Sequence, residues 1–229
     1  MPHARLQGQR RPHRALVVNN GGIRMEGAIL AGGLGRRMEG RNKSLLPFHG
    51  STLIAAISNR MASCCERVSI VVAAEEQARG FASLKLPIGL DAVPGSGPLS
   101  GLHSALASAS EPFVWVSACD MPYVSPHAAM WMASRLEESG AGAVAPFIDG
   151  RLHPLQAIYR TECSFYTQDC LSRGIRRMMD LLEAIRPLVV EEAEFKEAGI
   201  DPRFVANINT AEDYLRIVSR AGEDDGCGG

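Results

Sequence analysis

Gly27-Ala28-Ile29-Leu30-Ala31-Gly32-Gly33-Leu34-Gly35-Arg36-Arg37-Met38, with Lys43 five residues on, takes a short apolar strand straight into a glycine-rich turn. Glycines admit positive φ and let backbone N–H groups approach a ligand closely. Successive exposed N–H groups form an anion-binding concavity, and Arg and Lys add full charges suited to phosphate. The stretch therefore reads as a cradle for a nucleoside triphosphate. A glycine-rich connection without a ligand is the plainer reading, but Arg36, Arg37 and Lys43 crowd like charges that an anion would reconcile. Two familiar patterns are excluded. A P-loop requires Gly directly before Lys-Ser, and Asn42 stands there. A dinucleotide fingerprint requires a third Gly three residues after Gly35, and that residue is Met38.

Outward from this stretch, strand and helix alternate. Val68–Ala73, Leu86–Asp91, Phe113–Cys119 and Ala143–Ile148 read as strands. Thr52–Met61, Glu75–Ala82, Pro98–Ser108 and a helix from Ser125-Pro126 to about Ser139 lie between them. Near-continuous apolar strands separated by helices predict an α/β fold, a Rossmann-like, mostly parallel sheet with helices on both faces. Ligands of such sheets sit beyond the carboxyl ends of the strands. Past Ile148 the pattern changes. Asp149-Gly150 is a turn signal, so Ala143–Ile148 and Pro154–Tyr159 are expected to form a hairpin. Helices are expected near Thr161–Leu171 and Ile175–Ala184, with extended pieces at Leu188–Val190 and Phe204–Val205. A terminal helix Thr210–Arg220 follows, capped by Thr210 with Asp213 at its third position.

The 229 residues suit one domain of two lobes. The formal charge of −1 is uneven: residues 1–24 hold five arginines and no acid, leaving 19 basic against 25 acidic residues, a net of −6, on the rest. An acidic body argues against a nucleic-acid partner. Residues 1–24 are expected to be a disordered extension, 25–220 a single domain, and 221–229 a flexible tail. No apolar run approaches the ~18 residues of a membrane span. The six cysteines form no Cys-x-x-Cys pair, and with no secretory pattern the reducing cytoplasm is the expected compartment.

Asp120 directly follows the strand Phe113–Cys119, at the edge the glycine-rich turn reaches. As a hard oxygen donor it suits Mg²⁺, which takes one or two carboxylates plus substrate phosphates; a turn or N-cap aspartate is the alternative. Asp91 ends its strand before Pro94-Gly95-Ser96-Gly97-Pro98, a loop shaped to wrap a base or ribose, or else an ordinary turn. His153 and the pair Asn207 and Asn209 are polar residues in extended segments and tentative contacts for a second substrate. Arg176-Arg177 is a further basic pair, or a solvated helix face.

The segment Leu30-Ala31-Gly32-Gly33-x-x-Arg36-Arg37-Met38-x-x-x-x-Lys43 resembles the signature of the molybdenum cofactor guanylyltransferases. Gly97-Pro98-Leu99-Ser100-Gly101, Cys119-Asp120-Met121-Pro122, His153-Pro154-Leu155 and Asn207-Ile208-Asn209-Thr210 follow in that family's order. The resemblance spans about Met25 to Arg220. It implies a glycosyltransferase-A-like nucleotidyltransferase architecture and transfer of GMP from GTP to molybdopterin with Mg²⁺. It further implies transient contact with other molybdenum cofactor proteins. By motif, Leu30, Ala31, Gly32, Gly33, Lys43, Asp91 and Asp120 would bind GTP, Asp120 would also hold the metal, and Arg37, Lys43 and Asp120 would serve catalysis. The Gly32-Gly33 pair resembles the guanine-using branch. Two positions depart from the pattern: Asn42 replaces an Asp before the lysine, and Ala73 or Ala74 falls where an Asn often holds the nucleotide. A relative using CTP or another phosphorylated acceptor, and a nucleotide-binding regulator without turnover, are the alternatives.

Overall fold

The computed structural model describes residues 22–33 and 43–224, with side chains described to residue 219. Elements in chain order begin with β1 (Met25–Leu30), a 3-10 turn at Lys43–Leu45, a small hairpin of β2 (Pro47–Phe48) and β3 (Ser51–Thr52), and α1 (Leu53–Met61). Next come β4 (Val68–Val72), α2 (Glu75–Arg79), β5 (Ile88–Leu90), α3 (Pro98–Ser108), β6 (Phe113–Ala118) and α4 (Pro126–Ser139). The remainder is β7 (Ala143–Ile148), β8 (Arg151–Leu152), β9 (Gln156–Arg160), α5 (Ser164–Ser172), α6 (Met178–Ile185), β10 (Leu188–Glu191), α7 (Glu192–Glu197) and α8 (Ala211–Asp224).

The strands make one eight-stranded sheet in the order β10-β7-β9-β6-β1-β4-β5, with β8 paired to β7. β1 pairs in parallel with β4 and β6, β4 with β5, and β7 with β10. The exceptions are β9, which runs antiparallel between β6 and β7, and the short β8, antiparallel to β7. The expected hairpin thus forms, pairing Ala143 with Tyr159 and Val144 with Ile158. Asp149 (φ 52°) and Gly150 (φ 71°) make the tight β7–β8 turn, the double positive φ that Asp-Gly supplies most readily.

Alternation along the strands divides the core in two. Met25, Ile29, Phe113 and Trp115 face α1, α4 and α7, whereas Ala28, Leu30, Val114 and Val116 face α3, α5 and α6. Both sheet faces are therefore covered, as apolar strands require. One buried amide ties the sheet to the 3-10 turn at Pro202–Val205 on the α1, α4 and α7 face: Gln156 accepts from Trp115 Nε1 at 3.2 Å and donates to the Phe204 carbonyl at 2.9 Å.

Three expectations are corrected. Residues 202–205 are a 3-10 turn capped by Asp201, not an extended piece, because Pro202 enters at its first position with φ already set for a helical turn. The helix expected to run to Ala82 stops at Arg79. The boundary at Met25 lies too late, since Ile23 is 5% exposed in the core and Arg24 pairs with Glu111 at 2.6 Å.

Candidate active site

β1, β4, β5 and β6 deliver their carboxyl ends to one edge. Ala31 N donates to Val71 O at 2.8 Å, Asp91 N to Val72 O at 2.8 Å, and Cys119 N to Leu30 O at 3.1 Å. The residue after each strand is thereby fixed in a row. A cavity of about 600 Å³ opens along that row, within the range of small-ligand sites. Gly32, Gly33, Val71 and Ala73 line one end, the Gly95–Gly101 segment and Asp91 another, and Asp120, Leu155 and Asn207 the remainder.

Close approach explains the composition. A Cβ on Gly32 would lie 3.0 Å from the Ala73 nitrogen. A Cβ on Gly101 would lie 3.2 Å from Asp91 Oδ1, so the glycine lets the carboxylate lie against α3. The loop after Asp91 is shaped by positive φ at Gly95 and Gly97. Two α3 hydroxyls hold it: Ser104 Oγ accepts from Ala92 N at 2.8 Å and Ser100 Oγ from Val93 N at 2.9 Å.

Charge is concentrated where the sheet ends. Burial pushes Asp91 up to about 6. Burial also raises Asp120, against the opposing pull of the Lys43 ammonium and a backbone N–H. Lys43 Nζ donates to the Ile208 carbonyl at 3.1 Å and to the Asn209 carbonyl, while Ile208 N donates to the Asp120 carbonyl at 2.9 Å. The two asparagine side chains bond each other, Asn209 Nδ2 to Asn207 Oδ1 at 3.1 Å and Asn207 Nδ2 to Asn209 Oδ1 at 3.4 Å. Thr210 and Asp213 fix the segment from behind. Asp213 Oδ2 accepts from Asn209 N and Thr210 N at 3.1 and 2.9 Å, and Thr210 Oγ1 accepts from Asp213 N at 3.0 Å. This is the cap expected from the sequence. Cys119 is pushed up to about 12 chiefly by burial, which favours the thiol over the thiolate.

The structure brings most of the expected residues together. Leu30, Gly32, Gly33, Asp91, Asp120 and Asn207 line the cavity, and Lys43 and Asn209 join its edge through the bonds just described. Ala31 is buried with its N–H committed to Val71, so it supports the turn from beneath. Arg37, with Arg36, Met38 and Asn42, lies outside the described residues. His153 is not brought to the cavity. It is 6% exposed, its Nε2 sits 3.1 Å from the Ile148 carbonyl, and burial lowers its pKa, so it ties the β8–β9 connection to β7. Arg176 and Arg177 are exposed and apart from the cavity lining. Sequence reasoning missed Leu155, although its motif had been noted, and Gln77, whose setting among Glu75, Glu76 and Arg79 looks like any solvated helix.

Among the described residues no three His, Cys, Asp or Glu side chains cluster to cage a metal. Asp120 instead offers a carboxylate at the wall of a cavity large enough for a triphosphate. That donor set fits Mg²⁺ held largely by substrate phosphates. No described helix is long and apolar enough to cross a membrane.

The family model described as the MobA-like NTP transferase domain matches residues 27–187. A probable molybdenum cofactor guanylyltransferase of Mycobacterium tuberculosis is 32% identical over 194 residues, 82% of this chain and 90% of the relative. Its namesake from Carboxydothermus hydrogenoformans is 28% identical over 191 residues, 83% of this chain and 93% of the relative. The crystal structure of molybdopterin-guanine dinucleotide biosynthesis protein A from Archaeoglobus fulgidus superposes with a TM-score of 0.77 at 26% identity, covering 87% of this chain and 100% of that one. The 2-C-methyl-D-erythritol 4-phosphate cytidylyltransferase of Thermus thermophilus, at 15% identity and a TM-score of 0.62 over 85% of this chain and 98% of that one, shares the fold. A cavity at the carboxyl edge of the sheet, walled largely by residues within the matched span, accompanies these likenesses, and the chain belongs to the MobA-like NTP transferase family of nucleotidyltransferases.

Proposed function

We propose that this nucleotidyltransferase moves GMP from GTP to the terminal phosphate of molybdopterin and releases pyrophosphate. The observation that carries the reading is the meeting of Lys43, Asp120 and the Asn207–Asn209 segment at one end of a cavity whose other end is the Gly32-Gly33 turn. The names of the relatives support the same acceptor and base.

A phosphate monoester has its second pKa near about 6 and is largely a dianion at neutral pH. Its oxygen attacks the α-phosphorus of GTP, and the bond to the β-bridging oxygen breaks with its electron pair leaving on pyrophosphate. No protein base is needed, so the chain's contribution is positioning and charge. Gly32 and Gly33, read from the sequence as part of a phosphate cradle, are here assigned to admit the base close to the backbone, with the phosphates lying toward Lys43 and Asp120. Asp91, ionised above about 6, accepts hydrogen bonds from the nucleoside. Lys43 carries its ammonium beside Asp120 and can exchange the Ile208 and Asn209 carbonyls for phosphate oxygen. Mg²⁺ held by Asp120 would offset charge on the departing pyrophosphate. Asn207 and Asn209 face the acceptor with amides able to donate and accept. A reducing cytoplasm suits this chemistry, as do transient contacts with proteins that make or receive the cofactor.

Purified protein incubated with Mg²⁺, molybdopterin and each of the four NTPs tests the reading through pyrophosphate release and product mass. GTP should give the guanine dinucleotide. Equal turnover with CTP would reassign the base, and nucleotide binding without any turnover would make the chain a regulator.

A further inference from the structure

We infer that Gln77 is a positioning residue that sets base selectivity by tying together the two strand-end turns between which the nucleotide enters. The inference rests on the nucleotidyl-transfer reading above and goes beyond it. β1 and β4 remain in register up to Leu30 and Val71, and the last backbone bond across them is Ala31 N to Val71 O. Beyond that point the Gly32 and Ala73 turns are joined by one side chain. Gln77 Oε1 accepts from Ala73 N at 2.8 Å, and Gln77 Nε2 donates to Gly32 O at 3.4 Å.

Both joined residues line the cavity, and Gln77 does not. Ala73 offers a ligand only a methyl group and backbone, and Gly32 only backbone. The polar character of this end is therefore set by where two peptide units sit. Those units are in near contact, since a Cβ on Gly32 would meet the Ala73 nitrogen at 3.0 Å. The amide needs both ends: a carboxylate lacks the donor for Gly32 O, and an alkyl chain lacks both groups. Gln77 is the third residue of α2, so its bond to Ala73 N also steadies the start of that helix, and only the contact to Gly32 O reaches across to the neighbouring turn. Hydrogen bonds weaken steeply with misalignment. A small shift of either turn therefore acts on the donor–acceptor pattern by which guanine and cytosine differ, and leaves the phosphate end, at Lys43 and Asp120, in place.

The test is equilibrium binding of GTP, GMP and CTP to the full chain and to Gln77→Ala and Gln77→Glu, with Glu76→Ala as the neighbouring control and melting temperature recorded for each. Gln77→Ala should weaken GTP and GMP alike by about tenfold and CTP by less than about twofold, narrowing the GTP-over-CTP preference. The GTP-to-GMP ratio should hold, because the phosphate contacts lie elsewhere. Gln77→Glu keeps the acceptor for Ala73 N–H but turns an oxygen toward the Gly32 carbonyl, and should shift the preference the same way. Glu76→Ala should match the parent. An unchanged preference in both Gln77 variants overturns the inference alone, as does uniform weakening of all three ligands with a lowered melting temperature. A parent protein that binds no nucleotide overturns the functional reading and this inference with it.

Discussion

Asp120→Asn keeps the shape of the side chain and removes its charge. Turnover should fall by roughly 10² or more, the scale of losing a main charge contact in the transition state, while guanosine affinity holds. A pyrophosphate-release assay at saturating Mg²⁺ decides it, and near-normal turnover would return Asp120 to the role of turn residue. Asp91 answers to pH. Its folded pKa is raised from 3.8 to about 6, so folding binds its proton more tightly than the unfolded chain does. Stability from this group is therefore lost as pH rises from about 4 to 6. Asp91→Asn should melt higher than the parent at pH 7.5, with the gain shrinking as pH falls toward 4, and should bind GTP more weakly. Asp91 and Asp120 were legible because a carboxylate at a strand's end lands on the ligand edge whatever the packing. His153 was not, since nothing local says that a histidine ring will be folded back onto the Ile148 carbonyl. Glu26 was equally hidden. An acid inside an apolar strand draws no notice until Arg67 arrives from 41 residues away to grip it at 2.7 Å.

Among the elements, the first strand begins earlier than its apolar run suggests. A chain starting at Gly22 should keep the full melting temperature, whereas one starting at Met25 should lose up to about 1.5–3 kcal/mol with the buried side chain of Ile23. Calorimetry on the two would separate them, and equal stability would place Ile23 outside the working core. The Thr210–Asp213 cap has a wider reach than its own helix, because it also holds the segment to which Lys43 is bonded. Asp213→Ala should lower the melting temperature slightly and raise the acceptor KM without a matching change for GTP. Caps of this kind, and the Ser125-Pro126 start of α4, were readable because their chemistry lies within three residues. The 3-10 turn at Pro202–Val205 also carried a signal, Asp201 before proline, which the apolar Phe204-Val205 pair outweighed. The Gln77 tie carried none. Its partners are peptide groups, and any sequence supplies those.

At the scale of the whole molecule, the sheet has a parallel half whose strand ends wall the cavity and a half built around antiparallel β9. The parallel half was legible because each βαβ unit is written locally. The placement of β9 between β6 and β7 is a long-range choice, fixed by Trp115, Gln156 and Phe204 meeting in the core. On the proposed division of labour, Asn207→Ala and Asn209→Ala should each raise the acceptor KM several-fold while GTP affinity stays within about twofold. A steady-state analysis varying both substrates would show it, and equal losses for both substrates would contradict it. The bond from Lys43 to the Ile208 carbonyl joins residues 165 positions apart. Ribosomes add about 5–20 residues per second. A nascent chain therefore carries β1, β4, β5 and β6 for about 5–20 s before Asn209 exists. Messages cut short within that window encode proteins that hold Lys43 and Asp120 but lack the segment whose carbonyls Lys43 meets.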